Sequence, residues 1–337
     1  MLLSLQRGGR LSLAPVARET TASHKTVSTK MLTFFTTAKP FVEHIGVIQR
    51  NALRSWKLLD SDVEIILFGD DVGAADVARE LEIRHESHTE KNELGTNRVD
   101  YMFHRAEEIA RHDLLCYANC DIIFLPDFRQ ALKRMKKQYA RFLLLGRRWD
   151  AKVNEPIDFS AKDWAEQMRR RAFEKNEQRP PWFIDYFAFS KGLFGPDLPP
   201  LLIGRAAWDN WMVWKGIESG NPVIDASAVV VAIHQNHDYL HHPKGKAGVY
   251  DGEEAKYNFE LAGGWKHMRI ISDAPLLLSQ DRLRNNWKRF GNILKRNPTL
   301  PWYSDFLATV WHPIWFFFLD VTRPLRSALG IRRKRGN

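Results

Sequence analysis

The residues of this chain best suited to chemistry are Asp121, His234, His237 and Asp209. Asn119-Cys120-Asp121 follows the apolar run Leu114 to Tyr117 and precedes Ile122-Ile123-Phe124. An open α/β sheet places its ligand chemistry at the carboxyl ends of its strands, and a carboxylate there fits that use. A polar turn between two strands is the plainer reading. His234 and His237 follow another apolar run, Val229 to Ile233, so His234 also stands at a strand end. Hard divalent cations take oxygen ligands, and Mn²⁺ also accepts imidazole. Asp121, His234 and His237 are therefore the candidate metal ligands, with Mn²⁺ or Mg²⁺ as the ion. A structural hydrogen bond is the alternative for each histidine.

Asp209 sits in Trp208-Asp209-Asn210-Trp211 at an expected helix start. A partly desolvated carboxylate has a raised pKa and can take a proton from a hydroxyl. Trp208 and Trp211 could flank a sugar ring. The competing reading is a capping Asp with two core tryptophans.

Two further groups could hold a nucleotide. Thr36 and Pro40 close the first strand, and Gly69-Asp70-Asp71 closes the second. A carboxylate at either Asp70 or Asp71 can accept from a ribose diol or a base N–H; an N-cap for the helix near Ala74 is the other use. Gly95-Thr96-Asn97-Arg98 opens another helix. Its backbone N–H groups and the Arg98 fork suit a phosphate or sugar hydroxyl; Thr96 or Asn97 as a helix cap is the other use. The chain lacks Gly-Lys-Ser/Thr after that turn and Gly-x-Gly-x-x-Gly after its first strand, which argues against a P-loop and a dinucleotide fold.

The elements positioning these residues read as strands alternating with helices. Strands are expected at 31–36, 63–68, 83–85, 114–117, 142–145, 183–189 and 223–233, and helices at 45–59, 74–81, 99–110, 128–137, 161–175 and within 199–214. This order predicts an open, mostly parallel α/β sheet flanked by helices, with the second half built onto the same sheet.

The chain has 337 residues and a net charge of +10. Residues 282–337 hold twelve Lys/Arg and two acids, so residues 1–281 are balanced. The body is thus not a nucleic-acid binder, and the basic character belongs to the tail. Two cysteines, Cys116 and Cys120, are too few for a disulfide framework and fit a reduced, cytoplasmic compartment. Residues 1–30, Ser/Thr/Arg-rich, read as a disordered leader. Residues 31–281 form the expected catalytic domain. Residues 282–337 form a basic, aromatic, helical tail, with Trp302 to Val321 followed by the Arg332-Arg333-Lys334-Arg335 cluster. Aromatics beside cations suit a peripheral anchor on an anionic membrane surface; a packed terminal helix is the alternative.

Seven motifs in order resemble a known family: Thr-x-x-Pro, Phe-Gly-Asp-Asp, Asn-Glu-x-Gly-Thr-x-Arg-Val-Asp, Asn-x-Asp-Ile, Gly-Arg-Arg-Trp-Asp, Trp-Asp-Asn-Trp and Ile-His-Gln-Asn-His-Asp-Tyr. Over roughly residues 31–275 the chain is similar to bacterial glycosyltransferase-like proteins of the GT-A, nucleotide-diphospho-sugar transferase type. The resemblance implies a GT-A fold and metal-assisted transfer of a sugar from a nucleotide-diphosphate sugar to a glycan or lipid-linked acceptor. It places Asp121 on the metal, completed by His234 or His237, and Asp209 as the base of an inverting reaction. It places Thr36, Pro40, Asp70, Asp71, Gly95, Thr96, Arg98, Asn119, Trp208 and Trp211 around the donor. Asn119 departs from the family pattern, which has Asp there. A sugar nucleotidyltransferase and a non-catalytic carbohydrate-binding relative remain the alternatives.

Overall fold

The computed structural model describes residues 32–174, 177–237 and 250–296. The expected leader, the Trp302–Val321 segment and the terminal basic cluster lie outside these residues. The first half is a run of strand–helix units: β1 (Leu32–Thr37), α1 (Glu43–Lys57), β2 (Val63–Phe68), α2 (Ala74–Glu80), β3 (Arg84–Glu86), α3 (Val99–Ile109), β4 (Leu114–Ala118), β5 (Ile122–Phe124) and α4 (Pro126–Gln138). There follow β6 (Leu143–Leu145), β7 (Arg148–Ala151), α5 (Trp164–Phe173), β8 (Tyr186–Ser190), α6 (Trp208–Glu218), β9 (Val223–Asp225) and β10 (Ala232–Gln235). The described chain closes with α7 (Glu253–Leu261), β11 (Leu276–Leu278), β12 (Leu283–Asn285) and α8 (Lys288–Arg296).

Nine strands form one sheet in the order β12-β11-β9-β6-β8-β4-β1-β2-β3. Neighbours run parallel except around β8, which is antiparallel to both β4 and β6, and at β12, antiparallel to β11. The mostly parallel α/β sheet expected from the sequence is thus present, and the second half of the chain joins it. Its central strands are buried on both faces, which explains their mostly apolar runs. Phe34, Cys116 and Ala188 pack on one face with Trp56 and Phe128, while Phe35, Tyr117 and Phe187 pack on the other with Phe103 and Met212. Both cysteines are buried free thiols.

Three expectations change. The run 223–233 is two strands in two sheets. The Asp225 carboxylate accepts from Ser227 N at 2.8 Å and Ala226 O accepts from Val229 N and Val230 N, so the chain turns there. β10 then joins a small sheet, β5-β10-β7. The helix expected within 199–214 is displaced to Trp208–Glu218, because Gly204 and Ala207 both hold positive φ, +75° and +82°, which no helix contains. The boundary after residue 281 falls inside the β11–β12 hairpin, so the folded body runs on through α8. Among the described residues no helix is long and apolar enough to cross a membrane.

Candidate active site

A cleft of about 650 Å³ opens at the carboxyl ends of β1 and β4 and the amino end of β8. Asp121, His234, His237, Asn119, Gly95, Thr96, Trp208 and Asp209 all line it.

The small sheet sets the candidate metal-ligand cluster. On β10, His234 is paired with Ile122 on one side and with Asp150 of β7 on the other. Asp121 immediately precedes Ile122. Its backbone carbonyl accepts from Gln235 N and Gln235 Nε2, both at 3.2 Å. Gln235 is fully buried and also donates to Ile48 O. Asp121 Oδ2 lies 3.0 Å from His237 Nε2 and 3.7 Å from His234 Nε2. The three residues present ligand atoms within 4.8 Å of one another. Asp121 Oδ1 is buried with no hydrogen-bond partner among the described residues. Burial alone would raise the pKa of Asp121; the charges of His234 and His237 outweigh it and hold the carboxyl well below the usual range. One carboxylate, two imidazoles and an orphaned buried oxygen fit a divalent cation with positions left for phosphate or water.

Asn119 does not join this cluster. Its Oδ1 accepts from Tyr117 OH at 3.0 Å, and its Nδ2 donates to Asp185 Oδ1 at 3.0 Å. Arg148 donates to the same Asp185 oxygen at 2.6 Å and to Asp150 Oδ1 at 3.1 Å. Asp185 Oδ2 is buried and without a partner among the described residues. An amide at this position can donate to Asp185, where a carboxylate could not.

Asp209 stands in the first turn of α6, on the cleft side. Its Oδ1 accepts from Asn210 N at 2.9 Å. Burial pushes its pKa up to about 7, Asn210 N opposes this, and the charge of Asp185 adds to it. Trp208 lines the cleft edge-on to Tyr117, with ring centroids 5.2 Å apart. Trp211 faces the core instead, packed near Trp214.

Several nucleotide-side candidates lie elsewhere. Thr36 is buried and donates to Thr37 O; Thr37 and Lys39 line the cleft where Thr36 and Pro40 were expected. Pro40 is exposed and outside the lining. Asp70 is exposed and pairs with Lys91 at 3.0 Å. Asp71 is not in the lining either, and neither aspartate caps α2 through its side chain. Arg98 is taken up by Glu90 at 2.6 Å and Asp100 at 2.5 Å, beside a separate polar groove. Gly95 and Thr96 remain on the cleft, and Thr96 Oγ1 accepts from Arg205, which Glu254 also holds. Asp185, Arg205 and Trp182 line the cleft without having been singled out in the sequence; Arg148, named there only within a longer motif, and Asn97, weighed there only as a helix cap, line it too.

No family model and no curated protein match the chain. Among solved structures, glucosyl-3-phosphoglycerate synthase from Mycobacterium tuberculosis, in complex with Mn²⁺, UDP and phosphoglyceric acid, is 14% identical with a TM-score of 0.41. The match covers 70% of this chain and 80% of that one. S. aureus TarS 1–349, in complex with UDP-GlcNAc, is 11% identical with a TM-score of 0.46. The match covers 69% of this chain and 65% of that one, just under two thirds. Likeness at this level does not carry those proteins' ligands over to this chain.

Proposed function

We propose that the protein is a glycosyltransferase of the GT-A type, moving a sugar from a nucleotide-diphosphate sugar to an acceptor hydroxyl. The observation that carries this is one cleft holding both a cation-binding set, Asp121 with His234 and His237, and a carboxylate with a raised pKa, Asp209. A divalent cation, Mn²⁺ or Mg²⁺, held by the first three would offset charge on the leaving nucleoside diphosphate. Asp209 accepts the proton of the attacking hydroxyl as its oxygen bonds to the anomeric carbon. The bond from that carbon to the diphosphate breaks on the opposite face, so configuration inverts. Gly95, Thr96 and Lys39 lie on the same cleft and suit the donor's polar groups; Trp208 offers an aromatic edge. A glycan or lipid-linked acceptor, met at the cytoplasmic face of a membrane, completes the reading.

The test is transfer from a panel of nucleotide-diphosphate sugars, with Mn²⁺, with Mg²⁺ and with chelator. Cation-dependent release of nucleoside diphosphate with a product of inverted configuration supports the reading. Release of pyrophosphate from a nucleoside triphosphate and a sugar phosphate would assign a nucleotidyltransferase instead. Glycan binding with no turnover would leave a carbohydrate-binding protein.

A further inference from the structure

At one edge of the large sheet the chain leaves β12 and enters α8 through Asn286. The Asn286 side chain is buried and donates to Ser272 O at 3.0 Å and Ala274 O at 2.9 Å. At the far end of α8, Arg296 pairs with the fully buried Asp273. The helix is thus pinned at both ends, yet Trp287 is 73% exposed and Phe290 51% exposed. Trp287 immediately precedes α8 and Phe290 lies in its first turn. Arg282, Arg284 and Lys288 are exposed around them, and the Arg289 guanidinium lies 4.5 Å from the Phe290 ring centre. Residues 282–296 hold six Lys/Arg and no acid; the exposed Asp281 is the adjoining residue. Behind the helix, Arg269 has a lowered pKa. Burial is the main cause; Asp273 opposes it, while Arg296 and Arg289 add to it, so three guanidiniums converge on this corner.

We propose that this corner, Arg282 to Phe290, is a docking surface for an anionic lipid layer. Trp287 and Phe290 enter the headgroup boundary, and Arg282, Arg284, Lys288 and Arg289 meet lipid phosphates. Cations alone would serve a nucleic acid equally well. A rigidly held Trp–Phe pair raised among them favours lipid, because an indole suits an interface wet on one side and apolar on the other. The proposal gives described residues to the membrane location above, and it does not depend on the transfer reaction.

The full chain is mixed with sedimenting vesicles of phosphatidylcholine alone, or containing about 30% phosphatidylglycerol. Binding is expected on the anionic vesicles only and should weaken with salt. Arg284→Gln or Lys288→Gln should each lower partitioning about fivefold. Trp287→Ala with Phe290→Ala should lower it at least about tenfold, while Trp287→Phe with Phe290→Trp keeps it. Asp121→Ala should leave vesicle binding intact, which separates this surface from the cleft. Unchanged partitioning of the double alanine variant overturns the proposal, as does tighter binding to duplex DNA than to anionic vesicles.

Discussion

Asn119 donates its side-chain amide to Asp185 across 3.0 Å, tying the turn after β4 to the amino end of β8. Arg148 pairs with the same carboxylate oxygen, so one cation and one amide donor converge on a group that is almost fully buried. Asn119→Asp would set two carboxylates in contact. We expect it to lower stability by about 1–3 kcal/mol in urea unfolding at neutral pH, with the loss shrinking in acid. Equal stability at pH 7 would mean the amide's donation is dispensable.

The cation set gives a second prediction. Asp121→Ala and His237→Ala should each weaken Mn²⁺ binding, read by electron paramagnetic resonance, at least about tenfold. His234→Ala should do so less, since its Nε2 stands 3.7 Å from the Asp121 oxygen against 3.0 Å for His237. Wild-type affinity in Asp121→Ala would remove the metal site from this cleft.

As the proposed base, Asp209 would link pH to both rate and stability. Its pKa of about 7 predicts a transfer rate that climbs as pH rises through neutrality, because only the ionised form takes a proton. Asp209→Asn should cost about 10²–10⁴-fold in rate. Stability runs the other way. The folded state holds this proton where the unfolded state has released it, so the contribution is complete below about pH 4 and is lost by about pH 7. Asp209→Asn should therefore be more stable than the wild type above neutrality, by roughly 1–3 kcal/mol given its partial contact with solvent. A flat rate profile across pH 6–8 would argue against Asp209 as base.

Ala207 takes a left-handed conformation, φ +82°, one residue before Trp208. A non-glycine residue there is strained by about 1–3 kcal/mol. Ala207→Gly should raise the thermal midpoint, whereas glycine in a helix interior lowers it. Ala207→Val should be strongly destabilised. A loss of stability in the glycine variant would show the strain to be absent.

Much of the frame was legible in the sequence because buried parallel strands are written as mostly apolar runs, Glu64 being the one charge within Val63–Phe68. Val63 to Phe68 falls where expected, residue for residue. Asp121 and His234 were found as polar residues at the ends of such runs. Asp185 was missed for a physical reason. It sits at the start of an apolar run, and only strand direction decides whether the start or the end faces the crevice. β8 is antiparallel to β4, so its amino end does. Asp70 and Arg98 misled for a related reason: strand-end and helix-start positions promise a ligand, but Lys91, Glu90 and Asp100 already occupy these side chains. Such pairing between distant loops has no sequence period.

The β5-β10-β7 ladder sets the spacing of the proposed cation ligands. His234 comes level with the residue after Asp121 only in the observed register, and a slip by one residue would turn its imidazole to the opposite face. A chain slipped by one residue would therefore lack the third of the proposed cation ligands.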